Sequence, residues 1–170
     1  MTEPLVILVD ENDQEIGQMD KLESHEKGAL HRAISVLIFN SKGEWLIQQR
    51  AMGKYHSAGL WTNTCCSHPA PGEDSKAAAQ RRLQEEMGMA VDLNYSFNFM
   101  YQAVFDNGLT ENELDHVYVG YSDDLPTLNE EEAMDYRYVD LEYLQQSIQL
   151  NPEKYTAWFK LMIPKVTEKL

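Results

Sequence analysis

The sequence predicts an α/β fold in which helices pack against a mixed β-sheet. Short apolar runs of strand length alternate with segments of helical spacing, in an order typical of α/β sandwiches. The 170 residues, 43% of them apolar and 25% charged, suit one packed core. The sequence contains no repeat, low-complexity stretch or long linker. We therefore expect a single domain over residues 1–170.

Runs of β-branched, aliphatic and aromatic residues predict the strands. We expect them at residues 5–9, 16–19, 33–39, 45–50, 94–105, 114–121 and 135–139. The polar segment 21–30 is expected to be irregular, and the acidic segment 126–132 to lie at the surface. The Gly- and Pro-rich stretch 51–72 predicts a loop with a short strand at 61–65.

Three segments predict helices. The first begins at a cap formed by Asp74 or Ser75, runs to about residue 87 and ends at Gly88. The second spans residues 140–147, and the third begins at Pro152. The apolar face of the third helix consists of Tyr155, Trp158, Phe159, Met162 and Val166, and we expect Pro164 to bend its end.

The charge balance excludes some classes of partner. Fourteen Lys and Arg against 28 Asp and Glu give a net charge of −14, without any basic run. Nucleic acids and anionic membranes are therefore unexpected partners, whereas a small anion can still bind a locally basic pocket. The acidic N-terminus lacks signal-peptide features, and the adjacent Cys65 and Cys66 do not form a disulfide framework. We expect two reduced thiols and a cytoplasmic location.

A helical segment carries the first chemical motif. Glu73 is followed after seven residues by Arg81-Arg82-Leu83-Gln84-Glu85-Glu86-Met87-Gly88-Met89. This resembles the Nudix box, whose carboxylates hold Mg²⁺ beside phosphates. Ser67 stands where the pattern has its first Gly, and Arg82 stands where it has a Glu. The alternative is a solvated helix with an ion pair between Arg82 and Glu86.

A thiol and an imidazole form the second motif. Cys66 lies two residues before His68 in a loop shaped by Gly and Pro, so a reactive site is plausible. Such a thiol requires neighbours that tune its pKa, because a free Cys titrates near pH 8.5. The alternative is that Cys65 and Cys66 are small buried apolar residues.

Paired carboxylates and histidines suggest a metal shell. On a strand Glu111 and Glu113 point to one face and repel unless a cation lies between them. Together with His25, His31 and His68 they form a possible set of three imidazoles and two carboxylates. This set suits Mn²⁺, Zn²⁺ or Fe²⁺. The alternative is a solvated turn edge and separate polar histidines.

Separate segments match one family in order and spacing. They are Lys21 with His25, Leu30-His31-Arg32-Ala33, Gln49-Arg50-Ala51, Trp61-Thr62-Asn63, Cys66-Ser67-His68-Pro69, Arg81-Arg82 with Glu86 and Gly88, Glu111-Asn112-Glu113, and Met134-Asp135-Tyr136. From about residue 3 to residue 166 the chain resembles the bacterial short form of type 1 isopentenyl diphosphate isomerases. The family carries Arg at the position of Arg82. The resemblance implies a Nudix-like mixed-sheet α/β/α sandwich.

The resemblance also implies roles for individual residues. Cys66 and Glu113 correspond to the acid/base pair, and Tyr101 to a tyrosine that assists the glutamate. The implied ligands of one divalent metal (Mn²⁺, Zn²⁺ or Mg²⁺) are His25, His31, His68, Glu111 and Glu113. Glu86 corresponds to the ligand of a Mg²⁺ ion that arrives with the substrate. The implied substrate contacts are Lys21, Arg50, Lys54 and Arg82 at the diphosphate and Trp158 over the hydrocarbon.

The implied reaction interconverts isopentenyl diphosphate and dimethylallyl diphosphate in isoprenoid biosynthesis. A Nudix hydrolase of a nucleoside or other diphosphate is the enzymatic alternative, and a metal-stabilised diphosphate-binding module is the other. The oligomeric state stays open between monomer and homodimer. His56 and His116 are expected at surface or supporting positions, and Cys65 has no assigned role.

Overall fold

The computed structural model describes residues 4–54 and 56–169. Residues 1–3 and 170, at the ends of the predicted domain, lie outside the described residues. The strands are β1 (Leu5–Val9), β2 (Glu15–Asp20), β3 (His31–Phe39), β4 (Trp45–Arg50), β5 (Trp61–Thr62), β6 (Cys65–Ser67), β7 (Asn94–Val104), β8 (Thr110–Tyr121) and β9 (Ala133–Val139). The α-helices are α1 (Lys21–Lys27), α2 (Ser75–Met87), α3 (Leu141–Leu150) and α4 (Ala157–Lys169).

The strands form one mixed sheet centred on β3. β3 pairs in parallel with β8 and antiparallel with β1, β4 and β6. β8 continues the sheet to β7, and β4 continues it to β5 and β9. Strands that are distant in sequence therefore meet at the centre of the sheet, where their side chains can share one site.

Helices cover both faces of this sheet. On one face α4 and Leu144 of α3 pack on Leu37, Trp45 and Ile47. On the other face α2 packs on Ile34, Ile38 and Leu46. The expected α/β/α sandwich is confirmed, and consecutive residues of β3 and β4 alternate between the two cores because strand side chains alternate.

Three expectations about local structure are wrong. The segment 21–30 contains helix α1, which ends at Gly28 in the left-handed conformation, φ 65°. Only one of its seven residues, Leu22, is apolar, so no apolar stripe indicated the helix. The last helix begins at residue 157, and Pro152–Lys154 form a separate 3₁₀ turn. Pro164, which was expected to bend the end of this helix, lies inside α4, and the helix continues past it to Lys169.

The third difference concerns the expected strand at 61–65, which is two strands. β5 pairs with β4, whereas β6 pairs with β3. Between them the Asn63 side-chain amide donates to the carbonyls of Val36 (3.2 Å) and Cys65 (2.9 Å). The chain changes partner strand at Asn63 because these bonds replace the sheet ladder there. Within the described part of the chain no helix has the length and apolar character to cross a bilayer.

Candidate active site

A cavity of about 240 Å³ opens at one end of the sheet. Its lining includes every predicted site residue except His25 and His31, which lie behind it in direct contact with lining carboxylates. The cavity has two parts. We call His25, His31, His68, Glu111 and Glu113 the histidine–carboxylate cluster, and Lys21, Arg50, Lys54 and Arg82 the cationic cluster.

Strand register places the two carboxylates beside a tyrosine. Glu111 and Glu113 are two residues apart on β8, and Tyr101 of β7 pairs with Glu113. The Tyr101 hydroxyl lies 2.6 Å from Glu111 Oε2 and also contacts Glu113 Oε1. Burial, and then the charges of Glu111 and Glu113, raise the pKa of Tyr101 well above its ordinary value. The phenol therefore stays protonated and bridges the two carboxylates.

Three imidazoles approach these carboxylates from separate elements. His31 Nε2 lies 3.0 Å and His68 Nε2 lies 2.6 Å from Glu113 Oε2. His25 Nε2 lies 3.4 Å from Glu111 Oε1. One donor atom from each of His25, His31, His68 and Glu113 falls within 4.8 Å of the others, and His25, His56 and Glu111 form a second such set.

The donor set fits a divalent metal ion. Nδ1–H of His25 donates to the Lys21 carbonyl (2.7 Å), and Nδ1–H of His31 donates to the Ala29 carbonyl (2.9 Å). A carbonyl can only accept, so the neutral tautomer of each ring directs the Nε2 lone pair into the cluster. Burial lowers the pKa of His68 to about 4, which also leaves a neutral imidazole. Imidazole nitrogens and carboxylate oxygens are common ligands of Zn²⁺ and Mn²⁺.

Glu113 is ionised in this environment. Burial alone would raise its pKa, but His68 and His31 lower the pKa of Glu113 well below its ordinary value. Burial and the charge of Glu113 both raise the pKa of Glu111. Contacts with His25 and His56 outweigh these two effects and lower the pKa of Glu111 to about 2. Two carboxylates remain charged side by side when protonated imidazoles face them, and a divalent ion held by neutral imidazoles would supply the same positive charge.

Cys66 lies on the same face of the sheet as Glu113. It pairs with Ser35 of β3, and its Sγ donates to Asn63 Oδ1 (2.8 Å) and accepts from Trp158 Nε1 (3.1 Å). Burial, followed by the charge of Asp115, raises the pKa of Cys66 above its ordinary value, so the thiol form dominates at neutral pH. Cys65 points to the opposite face and packs in the α2 core. The two thiols therefore lie on opposite faces of the sheet, and only Cys66, the one with a predicted role, faces the cavity.

The cationic cluster lies at the other end of the cavity. Lys21 begins α1, Arg50 ends β4, Lys54 follows in a loop, and Arg82 comes from α2. Burial, and then the nearby Lys54 and Arg50, lower the pKa of Lys21. Lys54 and Arg50 therefore lie close to Lys21, and an anion bound among these cations would relieve their repulsion.

Carboxylates already neutralise part of this cluster. Arg82 Nη2 lies 2.8 Å from Glu86 Oε2 and 3.1 Å from Glu132 Oε1, and Lys54 also contacts Glu132. The predicted ion pair between Arg82 and Glu86 is thus present. Glu86 is only 4% exposed and accepts from the Gln48 amide at 3.0 Å. Glu132 belongs to the acidic segment 126–132, which is exposed or partly exposed as expected, and its contacts with Arg82 and Lys54 place it beside the cavity.

Comparisons with known proteins show the family and the fold of the chain. Residues 29–159 match the NUDIX domain family. A Pectobacterium atrosepticum protein named isopentenyl-diphosphate Delta-isomerase is 52% identical over 96% of this chain and 91% of its own length. A second relative, isopentenyl-diphosphate Delta-isomerase 1 of Aromatoleum aromaticum, is 52% identical over 96% of this chain and 93% of its own length.

The chain belongs to the isopentenyl-diphosphate Delta-isomerase family. Solved structures support the Nudix fold of this isomerase. A Deinococcus radiodurans protein superimposes with a TM-score of 0.80 at 18% identity, covering 95% of this chain and 98% of its own. The MutT protein of Methanosarcina mazei superimposes with a TM-score of 0.68 at 22% identity, covering 82% and 94%. The predicted family and fold are both confirmed.

Sequence reasoning missed some residues of the isomerase cavity. His56 is buried, lines the cavity and lies 2.8 Å from Glu111 Oε1, so of its two expected positions, surface or supporting, it takes the supporting one. Asp115 also lines the cavity and accepts from the Ser35 hydroxyl at 2.6 Å. Asp115 continues the alternation of Glu111 and Glu113 on β8, a signal that was available. His116 lies on the opposite face, 3.0 Å from Asp13, consistent with a supporting position.

Proposed function

We propose that this cavity interconverts isopentenyl diphosphate and dimethylallyl diphosphate, with Cys66 and Glu113 as the acid/base pair. The observation that carries the proposal is that both side chains project from one face of the sheet into one cavity. The names of the relatives indicate the reaction, and the cavity contains groups able to perform it. The two free thiols also support a reducing compartment, the cytoplasm.

The reaction is a 1,3 shift of a proton. One proton is added to C4 of the isopentenyl group, a tertiary cation develops at C3, and one proton leaves C2. The enzyme therefore needs one protonated and one ionised group within hydrogen-bond reach of the substrate. Cys66 favours the thiol and Glu113 the carboxylate, so the pair carries one proton between them. In the reverse reaction the same two groups exchange roles.

The hydrocarbon side of the cavity suits a cationic intermediate. Trp158 is 3% exposed, and its indole N–H contacts Cys66. An aromatic face stabilises a nearby cation, and exclusion of water prevents its capture. Trp158 therefore covers the substrate and also orients the thiol.

The histidine–carboxylate cluster would hold one divalent metal ion. When bound, the ion supplies a positive charge that keeps Glu113 ionised and immobile. The chain itself fixes the proton position through Tyr101, which bridges both carboxylates, and through the backbone carbonyls that orient His25 and His31. A proton-transfer site requires such fixed geometry.

The cationic cluster would bind the diphosphate. Arg50 and Arg82 offer forked donors, and Lys21 and Lys54 offer point charges. Glu86 is buried at the cavity wall and is the ligand we assign to a Mg²⁺ ion carried by the substrate. Binding at this end leaves the hydrocarbon directed toward Cys66 and Glu113.

A pair of adjacent cysteines provides the test. We expect Cys66→Ala to lower kcat by about 10²–10⁴-fold, because it removes one proton-transfer group. Cys65→Ala is the matched control, since Cys65 faces the α2 core and should keep kcat near the wild-type value. The measurement is deuterium incorporation into the allylic product in heavy water. Near wild-type turnover by Cys66→Ala would overturn the proposed mechanism.

Release of phosphate or nucleotide distinguishes the hydrolase alternative. Arg82 occupies the position of a Nudix-box glutamate and pairs with Glu86, so one metal-binding carboxylate is missing from the helix. We expect no Mg²⁺-dependent hydrolysis of nucleoside diphosphates. Hydrolysis without isomerisation would favour the hydrolase, and diphosphate binding without either reaction would favour a binding module.

A further inference from the structure

His56 contacts the histidine–carboxylate cluster without belonging to its predicted ligands. It comes from the loop between β4 and β5 and is 8% exposed. Its Nε2 lies 2.8 Å from Glu111 Oε1, while Tyr101 donates to Glu111 Oε2 at 2.6 Å. Donors therefore hold Glu111 at both of its oxygens.

The neighbours of His56 fix the plane of its ring. The ring stacks on Phe105 with centroids 4.7 Å apart and planes at 8°. It meets the Trp158 ring edge-on, with centroids 5.8 Å apart and planes at 90°. Nδ1 lies 3.2 Å from the Ser57 hydroxyl. A ring held in this way directs Nε2–H at Glu111 and has little freedom to turn elsewhere.

His56 also contacts the cationic cluster. Its backbone carbonyl accepts from Arg50 Nη2 at 3.3 Å, and the Arg50 guanidinium lies 5.1 Å from the Trp158 ring centroid. One residue of a loop thus touches a carboxylate at the metal end and an arginine at the diphosphate end. Movement of this loop would change both ends together.

The arrangement of donors decides between ligand and positioning residue. His25 groups within 4.8 Å either with His31, His68 and Glu113 or with His56 and Glu111. His25 Nε2 has one lone pair and can serve one ion. An ion in the larger set leaves both His56 and Glu111 outside its four donors. Glu111 Oε1 lies 3.4 Å from His25 Nε2 and is the charged group that such an ion would attract, and His56 Nε2–H can donate to it.

We propose that His56 is a positioning residue that orients Glu111 toward the metal and holds Arg50 in place through the same loop. This inference rests on the proposed function, because it requires a metal in the histidine–carboxylate cluster. Groups that orient metal ligands in this way typically contribute about 10–100-fold to metal affinity.

Two variants of His56 test the proposal. His56→Phe keeps the stacking on Phe105 and removes the donor, so we expect Zn²⁺ affinity to fall by about 10–100-fold. His56→Gln keeps an N–H donor and should restore most of the affinity. The measurement is competition for Zn²⁺ against a chelating dye, with Co²⁺ absorption spectra reporting the coordination sphere. His116→Phe is the control and should leave affinity unchanged, since His116 contacts Asp13 outside the cavity.

The outcomes separate this inference from the proposed function. Unchanged affinity in His56→Phe would overturn it. Loss of affinity in His56→Gln together with altered Co²⁺ bands would also overturn it, because His56 would then be a ligand. Tight Zn²⁺ binding by a wild-type protein that does not isomerise would refute the proposed function and leave the inference on His56 intact.

Discussion

The two ends of the cavity hold their charges in different ways. The histidine–carboxylate cluster is carried mainly by the sheet, and His25, His31 and Glu113 are at most 5% exposed. The cationic cluster comes from the start of α1, the middle of α2, a strand end and a loop, and the Lys54 and Arg82 side chains are 22% and 17% exposed. Strand register and backbone carbonyls orient the first cluster, whereas ion pairs with Glu86 and Glu132 orient much of the second.

We infer that the histidine–carboxylate cluster is a permanent part of the folded protein, whereas the ion pairs of the cationic cluster can be exchanged for contacts with a ligand. Buried charges without partners are costly, so the histidine–carboxylate cluster must be complete in the folded protein. Partly exposed ion pairs contribute little and can be replaced by contacts to a diphosphate. We therefore expect changes at the first cluster to lower kcat and stability, and changes at the second to raise KM.

The largest effect is expected at Glu113. Glu113→Gln keeps the size of the side chain but removes the proton-transfer group, so kcat should fall by about 10²–10⁴-fold. KM should change little, because the cationic cluster is intact. Steady-state kinetics with isopentenyl diphosphate at saturating metal measures both parameters. A large rise in KM with unchanged kcat would contradict the assigned division of the cavity.

At the cationic cluster, Lys21→Met is the corresponding change. It removes one charge at constant length, and a charge-assisted hydrogen bond contributes about 1.5–3 kcal/mol, so KM should rise by about 10–100-fold. Lys27→Met is the matched control at the other end of α1, where Lys27 pairs with the exposed Glu23. Equal effects of the two variants on KM would show that Lys21 does not contact the diphosphate.

Removal of metal tests whether the histidine–carboxylate cluster holds an ion that stabilises the fold. Binding at about 100 times Kd stabilises a protein by about 2.7 kcal/mol, so chelation should lower Tm by about 5–10 °C and abolish activity in parallel. Differential scanning fluorimetry before and after chelation, followed by re-addition of Mn²⁺ or Zn²⁺, measures the effect. An unchanged Tm would count against the proposed shell.

The smallest effect is expected at Glu132. Burial alone would raise its pKa, but Lys54 and Arg82 lower the pKa of Glu132 to about 2, against 4.5 ordinarily. A lowered pKa stabilises the fold above about pH 4.5, and this contribution disappears as pH falls toward 2. Glu132→Gln should therefore lower Tm by about 2–4 °C at pH 7. The difference should vanish near pH 2, and a constant difference would exclude ionisation as its cause.

Local rules predicted some parts of the site well. Helix α2 has an Asp74 cap whose side chain accepts from the Ala77 N–H, and it ends at Gly88 with φ 62°. The alternation of strand side chains placed Glu111 and Glu113 together, as Tyr101 shows by contacting both. Each of these features depends on residues that are close in sequence.

Other features could not be predicted from the sequence, because they depend on contacts between residues that are distant along the chain. Six of the seven residues of helix α1 are polar, and two of them, Ser24 and His25, are buried by contacts with distant strands. The contact between His56 and Glu111 joins residues 55 positions apart, and no spacing rule marks it. Asn63 breaks a strand because its partner, Val36, lies on β3.

By itself the sequence determined the family, the order of the elements and the chemical types of the site residues, because motifs, caps and strand alternation depend on residues that are close in sequence. Only the tertiary structure decided which side chains share a cavity, which tautomers the histidines adopt and which thiol faces the substrate. These properties depend on the pairing of β3 with β6 and β8, which brings together residues that chain order keeps apart.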